Sequence, residues 1–171
     1  MGLRQKKDRA LATLYARYPS VFHLWSRRFS SVTHTGSPWS RLGKDISQCR
    51  LALITTGGVH LKTQVPFDMN DRAGDPSFRE IPAASALSDL TITHNYYDHT
   101  DADKDINIVL PIDRVEVLRD KGEIGSVNFR HFSFMGHIKP PHRDMLVQET
   151  APRVAENLIA DGVDVAILTP A

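Results

Sequence analysis

Short runs of hydrophobic residues, each preceded by a more polar stretch, predict the strands of a sheet. Residues 51–54 are uniformly apolar and lead into a pair of glycines, which predicts a central strand followed by a turn. Residues 90–94 and 126–136 predict a second and a third strand. Residues 163–168 predict a last strand of the buried parallel type.

Helical periodicity lies between these strands. Residues 111–122 predict a short helix that begins at a proline and ends at a glycine. Residues 143–160 are helical by spacing, with Pro152 either starting a new helix or bending the old one. The alternating order predicts an α/β fold with a largely parallel sheet and helices on both faces. Residues 62–85 lack a sustained period and predict a long functional loop.

The N-terminal region follows a different pattern. Apolar residues recur at helical spacing, and Pro19 is expected to break or bend the helix; these residues are Leu11, Leu14, Tyr15, Tyr18, Phe22 and Trp25. We therefore predict an N-terminal helical arm over residues 1–36 and an α/β domain over residues 37–171. The excess of arginine and serine in the arm is also compatible with a transit peptide.

Composition narrows the functional classes. The net charge of +1 gives no reason to expect nucleic-acid binding or attraction to an anionic membrane. No apolar run reaches the roughly 18 residues of a membrane helix. Cys49 is the only cysteine, which fits a reducing compartment, and we expect a cytoplasmic protein in which this side chain packs in the core.

The turn after the first strand is the first candidate site. Thr55, Thr56, Gly57 and Gly58 follow the strand directly, so they are expected at the carboxyl edge of the sheet, where ligands bind in open α/β folds. Backbone N–H groups near glycines can approach an anion closely. The turn lacks dinucleotide and P-loop spacing, and a plain tight turn is an equal alternative.

Histidines follow several of the predicted strands. His60, His94 and His137 are expected near one rim, where imidazoles suit general acid or base catalysis near neutral pH. Surface histidines without a function are the alternative.

The segment from His94 to Asp105 is the densest polar cluster. Asp98 and His99 are expected to line a pocket for a small polar substrate. A metal site is the less favoured interpretation, because the glycine of a calcium loop is missing and one sequence cannot show three converging ligands. We expect no metal.

No nucleophile stands among these candidates. The chain has no G-x-S-x-G motif, and Cys49 precedes its strand rather than following it. The residues alone therefore predict the rim of a pocket without a reactive centre.

Four long segments carry a resemblance to a known family. They are SPWSRLGKDISQCRLALITTGGVHLKTQVPFDMNDRAGDPSFREIP, LTITHNYYDHTDADKDINIVLPIDRVEVLRDKGEIG, HFSFMGHI and ETAPRVAENLIADGVDVAILTPA. Together they resemble the selenoprotein B subunit of the glycine, betaine, sarcosine and D-proline reductases. The likeness covers about residues 37–171 and does not single out one substrate.

The resemblance implies reductive cleavage of a C–N bond next to a carboxylate, with a dithiol or thioredoxin-type protein as electron donor. It implies other reductase-complex subunits as partners, one of which carries a pyruvoyl group, while this chain carries no cofactor. On this hypothesis His60, His94 or His137 protonates the leaving amine, and the turn from Thr55 to Gly58 holds the carboxylate.

In that family a strand similar to VAILTP is followed almost at once by selenocysteine or cysteine. We therefore expect an incomplete domain, truncated where a UGA codon after Ala171 was taken as a stop. A deliberately short protein is the competing hypothesis. A non-catalytic binding or regulatory module and a racemase-like α/β enzyme are the alternative functions.

Overall fold

The computed structural model describes residues 2–26 and 40–170. The chain divides into two compact units. The first comprises Met1–Gly43 and Asn95–Asp98, and the second comprises Lys44–His94 and His99–Ala171. The predicted domain boundary between residues 36 and 37 lies outside the described residues.

The first unit contains two helices, α1 (Leu3–Arg17) and α2 (Pro19–Ser26). Pro19 is the first residue of α2, where its missing N–H costs no hydrogen bond, and this confirms the predicted break. Phe22 and Tyr15 contact each other edge to face, with ring centroids 5.9 Å apart. Several large apolar side chains of this unit are exposed, including Leu14, Tyr18 and Leu24.

The second unit is built on a mixed, largely parallel sheet. The strands are β1 (Arg50–Thr55), β2 (Val59–Leu61), β3 (Arg79–Pro82), β4 (Leu90–Ile92), β5 (Ser126–Val127), β6 (Arg130–Ser133) and β7 (Val165–Thr169). The central strand β1 pairs in parallel with β7 along one edge and with β5 and β6 along the other, while β3 pairs antiparallel with β6. A separate antiparallel pair is formed by β2 and β4.

Three helices complete this unit: α3 (Ile112–Asp120), α4 (His142–Met145) and α5 (Ala151–Ala160). A π-helical turn, Leu146–Thr150, joins α4 to α5, and Pro152 lies in the first turn of α5. A proline cannot supply an interior N–H, so the wider turn before it accommodates the change of helix. The sequence predicted such a discontinuity.

The core lies between the sheet and α5. Phe132, Phe134 and Val154 form a buried cluster, and Ile54 and Leu158 pack against it. Burying a phenylalanine or valine side chain contributes about 1.5–3 kcal/mol. Phe132 and Phe134 are thus core residues, as predicted, and Cys49 is also buried.

The α/β class is confirmed, but two local predictions are wrong in part. The strand predicted at residues 90–94 is present as β4, and it lies in the separate antiparallel pair, where β2 follows the turn at Gly58 (φ +71°). The end of the predicted 62–85 loop forms β3, an edge strand that tolerates Pro82. The predicted 126–136 strand is interrupted between β5 and β6, where Phe129 is 64% exposed.

Candidate active site at the carboxyl edge of the sheet

The end of β7 is fixed beside the threonine–glycine turn. Thr55 and Thr169 are register partners on parallel strands, so both strands end at the same edge. The Thr56 N–H donates to the Thr169 carbonyl oxygen (3.1 Å). The Thr169 hydroxyl donates to the Val109 carbonyl oxygen (2.6 Å). These bonds determine where the chain leaves the sheet.

The N–H groups of the turn are used within the fold. The Gly57 N–H donates to the Thr55 hydroxyl oxygen (3.0 Å), and the Gly58 N–H donates to the Phe134 carbonyl oxygen (2.9 Å). With the Thr56 N–H bonded to Thr169, none of the three points to a ligand in this arrangement. The assignment of this turn to the carboxylate stays a prediction, and it requires other donors than these N–H groups.

Glycine is required at position 58 by both conformation and space. Its φ is +71°, and a Cβ atom there would lie 2.6 Å from the Thr93 carbonyl oxygen and 3.2 Å from the Cβ of His94. The Thr93 N–H in turn donates to the Gly58 carbonyl oxygen (2.9 Å). The turn therefore packs directly against the segment that carries His94.

His94 is buried and neutral. The Gly136 N–H donates to its Nε2 atom (3.2 Å), so the ring proton is on Nδ1. Burial, together with the nearby charges of His137 and His99, lowers the pKa of His94 to about 3. A group with this pKa accepts hydrogen bonds at neutral pH but does not supply an acidic proton.

The segment around His137 is held by the long loop before β3. The Lys139 N–H donates to the Ala73 carbonyl oxygen (2.7 Å). Gly74 has φ +90°, and a Cβ atom there would lie 1.8 Å from the His137 carbonyl oxygen. At Gly74 the loop therefore lies closer to the His137 backbone than any residue with a Cβ atom would allow.

His99 and His60 have different surroundings. His99 is buried, and its Nδ1 lies 2.8 Å from the Asp103 Oδ2 atom. The His60 Nδ1 donates to the Leu61 carbonyl oxygen (2.8 Å), and its Nε2 accepts from the Thr93 hydroxyl (2.8 Å). Both ring nitrogens of His60 are therefore engaged in the fold, whereas His99 forms a histidine–carboxylate pair.

His94 accepts a bond from Gly136, the residue before His137, and charges on His137 and His99 lower the pKa of His94. His60 connects to this group only through Thr93. Asp98 belongs to the first unit, together with the N-terminal helices. The roles predicted for these side chains stay predictions.

A groove of about 530 Å³, which no sequence pattern predicts, adjoins this edge. Ile54 and Leu168 line it from the sheet, Leu158 lines it from α5, and Thr56 and Gly136 line it at the rim. Arg143 also lines the groove. Sequence patterns identify apolar faces of single elements, but the gap between two elements depends on how they pack.

Two further features concern metal binding and membrane insertion. Within residues 2–26 and 40–170, no three histidine, cysteine, aspartate or glutamate side chains are grouped so that they could hold a metal ion. No helix in the same ranges has both the length and the apolar character needed to cross a membrane.

A family model matches most of the chain. The model describes the glycine/sarcosine/betaine reductase selenoprotein B, and the match covers residues 37–171. The chain belongs to this family. The resemblance seen in the sequence is thereby confirmed, and the reductase role holds at the level of the selenoprotein B family.

Curated relatives agree with the selenoprotein B assignment. The D-proline reductase subunit gamma of Acetoanaerobium sticklandii is 35% identical over 131 residues, which cover 77% of this chain and 52% of the relative. The sarcosine reductase complex component B subunit beta of Peptoclostridium acidaminophilum is 31% identical over 133 residues, covering 74% and 29%. The glycine reductase complex component B subunit gamma of Carboxydothermus hydrogenoformans is 29% identical over 133 residues, with the same two shares.

The chain therefore spans about half the length of the D-proline reductase relative and under a third of the other two. No solved structure matches the chain.

Proposed function

We propose that this chain is a component of a reductase complex that cleaves the C–N bond of a small amino acid or N-methylated derivative. The substrate class is that of glycine, betaine, sarcosine or D-proline, and a dithiol supplies the electrons. One observation carries the proposal: in a chain of the selenoprotein B family, the end of β7 is hydrogen-bonded to Thr56 beside His94.

The reactive group in this proposal is a selenocysteine or cysteine supplied just beyond β7. Its anion bonds to the carbon that carries the nitrogen, and the nitrogen leaves with the electron pair of the broken C–N bond and takes a proton. A neighbouring thiolate then bonds to the chalcogen, and the carbon fragment leaves with its electron pair and takes a proton. The external dithiol reduces the resulting selenium–sulfur or disulfide bond and becomes a disulfide itself.

Each histidine has a separate role in the proposal. His137 donates the proton to the leaving nitrogen, because His94 is held neutral by burial and by its bond from Gly136. His94 positions the backbone before His137. His99 lies at the reaction site, with Asp103 orienting the His99 ring. His60 supports the rim through Thr93.

The partners in the proposal are other subunits of a reductase complex, as the relatives' names indicate for those proteins. One partner carries the pyruvoyl group, and no residue of this chain is assigned to it. Within the N-terminal arm, residues 3–29 are the docking element, since the side chains of Tyr18 and Leu24 are 50% and 71% exposed. Deleting the arm should abolish assembly, whereas assembly of the shortened chain would remove this part of the proposal.

A reconstituted complex tests the proposal. The gene should be expressed with the codon after Ala171 and its downstream frame translated, and amino-acid reduction measured with and without a dithiol. We expect activity that requires the dithiol and that falls about 100-fold in His137→Ala. His142→Gln is the matched control, because glutamine retains a donor for Asp71, the partner of His142 at 2.8 Å. Reduction without a dithiol, or equal activity of the two variants, would contradict the proposal.

A further inference from the structure

The groove beside the rim combines an apolar interior with few polar groups. Its floor is formed by Ile54 and Leu168, which are register partners on β1 and β7. Phe134 and Leu158 form part of its walls. Its volume of about 530 Å³ lies in the range of small-molecule sites, which are mainly apolar with a few polar groups that orient the ligand.

Two polar side chains line this groove. One is Thr56, whose N–H donates to the Thr169 carbonyl oxygen at the end of β7. The other is Arg143, the only charged residue of the lining. Across the described ranges, 2–26 and 40–170, Arg143 forms no ion pair within 4 Å, in contrast to Arg130 and Arg119. An arginine without an ionic partner beside an apolar cavity is suited to a carboxylate.

The groove is continuous with the proposed reaction site. Thr56 lines the groove and donates its N–H to Thr169, while Gly136 lines the groove and donates its N–H to His94. A ligand at this end of the groove would therefore lie beside both the end of β7 and the histidine cluster. The N–H groups of the turn are already bonded, so a carboxylate must find its donor elsewhere.

We propose that this groove binds the substrate as an aliphatic carboxylate, with the carboxylate on Arg143 and the apolar body against Ile54 and Leu168. The inference rests on the proposed function and deepens it. It favours substrates with a compact apolar body over glycine, which offers almost no surface to an apolar groove. Arg143 is thereby a specificity-determining residue.

Binding to the full chain tests the site independently of catalysis. The probe is cyclopentanecarboxylate, titrated calorimetrically beside its uncharged analogue cyclopentanecarboxamide. We expect the carboxylate to bind about tenfold more tightly than the carboxamide, because a bidentate arginine–carboxylate pair contributes on the order of that factor. Glycine should bind more weakly than the ring carboxylate.

Substitutions in the groove test which residues contact the two probes. Arg143→Gln should weaken the carboxylate about tenfold and leave the carboxamide unchanged. Leu168→Asn, at a side chain that is 69% exposed, should weaken both probes about fivefold. Arg153→Gln is the matched control, since Arg153 lies on α5 with its guanidinium 5.8 Å from the Phe78 ring centroid and outside the lining.

Equal affinities for carboxylate and carboxamide, or equal loss in Arg143→Gln and Arg153→Gln, would overturn the inference. The reconstituted complex separates its failure from that of the proposed function. Turnover of D-proline with an unchanged KM in Arg143→Gln would remove the groove site and leave the function intact. Probe binding as described, in a complex that reduces no amino acid, would retain the site and remove the function.

Discussion

The two ends of the parallel strands are held by different chemistry. At the amino edge, Arg130 forms two hydrogen bonds of 2.8 Å with the Asp161 carboxylate and one of 3.0 Å with Glu80. Nearby, Lys44 pairs with Asp164 at 2.7 Å. At the carboxyl edge, neutral hydrogen bonds and a close-packed glycine turn fix the strands.

The difference separates ion pairs at the amino edge from hydrogen bonds between uncharged groups in the turn at the carboxyl edge. Under the proposed function, a fixed carboxylate next to the end of β7 would oppose formation of the attacking anion. Open α/β sheets place ligands at this same edge.

The largest effect is expected from the glycine turn. Gly58→Ala should destabilise the second unit by about 3 kcal/mol or more, because alanine disfavours the positive φ and its Cβ would lie 2.6 Å from the Thr93 carbonyl oxygen. Gly122→Ala is the control, with the same φ of +71° but no heavy atom within 4 Å of the added Cβ. It should cost about 1 kcal/mol. Similar losses in denaturant unfolding of both variants would show that the carboxyl edge is not close-packed.

The second effect concerns the amino edge. Asp161→Asn should cost about 2 kcal/mol at pH 7, since the side chain is only 6% exposed and its loss leaves Arg130 without its main partner. The bond from Arg130 lowers the pKa of Asp161, so this stabilisation is present above about pH 4 and is lost as the pH falls further. The difference between wild type and variant should therefore shrink at low pH. A pH-independent difference would contradict the charge-based explanation.

A fall in pH should lower the free energy of unfolding of the second unit, because its buried histidines are neutral. Burial lowers the pKa of His94 to about 3 and that of His131 to about 4, from about 6.5 in the unfolded chain. The unfolded state binds the extra protons, so stability is full above pH 6.5 and falls toward pH 4, by at most about 1.4 kcal/mol per pH unit for each histidine. His94→Gln should flatten this slope. An unchanged slope in urea unfolding between pH 4 and 7 would show that His94 is not buried in its neutral form.

The smallest effect is expected from Glu80→Gln. The Glu80 side chain is 44% exposed, so its pair with Arg130 is screened by solvent and should contribute about 0.5 kcal/mol. A loss as large as that of Asp161→Asn would mean that the amino edge acts as one coupled network. A double-mutant cycle of the two positions measures that coupling directly.

Local sequence patterns predict the positions of helices and strands better than they predict which strands pair with each other. The apolar run of β1, the proline at the start of α2 and the discontinuity before α5 follow from residues that are close in sequence. Whether β4 joins the main sheet depends on the direction in which the Gly58 turn sends the chain, and a periodic pattern carries no such direction. The bond between His60 and Thr93 joins residues 33 positions apart, so sequence reasoning could not distinguish this histidine from one that faces a ligand.

The candidate site shows the same limit. The turn lies at the carboxyl edge, as predicted, because parallel strands end together and the turn follows β1 directly. Its role in binding a substrate stays a prediction. The donors of the turn were predicted to face an anion, yet they bond to Thr55, Phe134 and Thr169. Two of those partners, Phe134 and Thr169, come from distant segments, and their position depends on the packed fold rather than on the composition of the turn.

Mapping the covalent adduct with substrate tests the central claim most directly. The reconstituted complex, with the neighbouring thiol replaced by serine so that the carbon fragment is not released, should be incubated with isotopically labelled substrate, digested, and analysed by mass spectrometry. We predict that the label lies on a selenocysteine or cysteine within a few residues after Thr169. Label on Cys49 or on a partner subunit alone would contradict the claim that the carboxyl end of β7 delivers the reactive group.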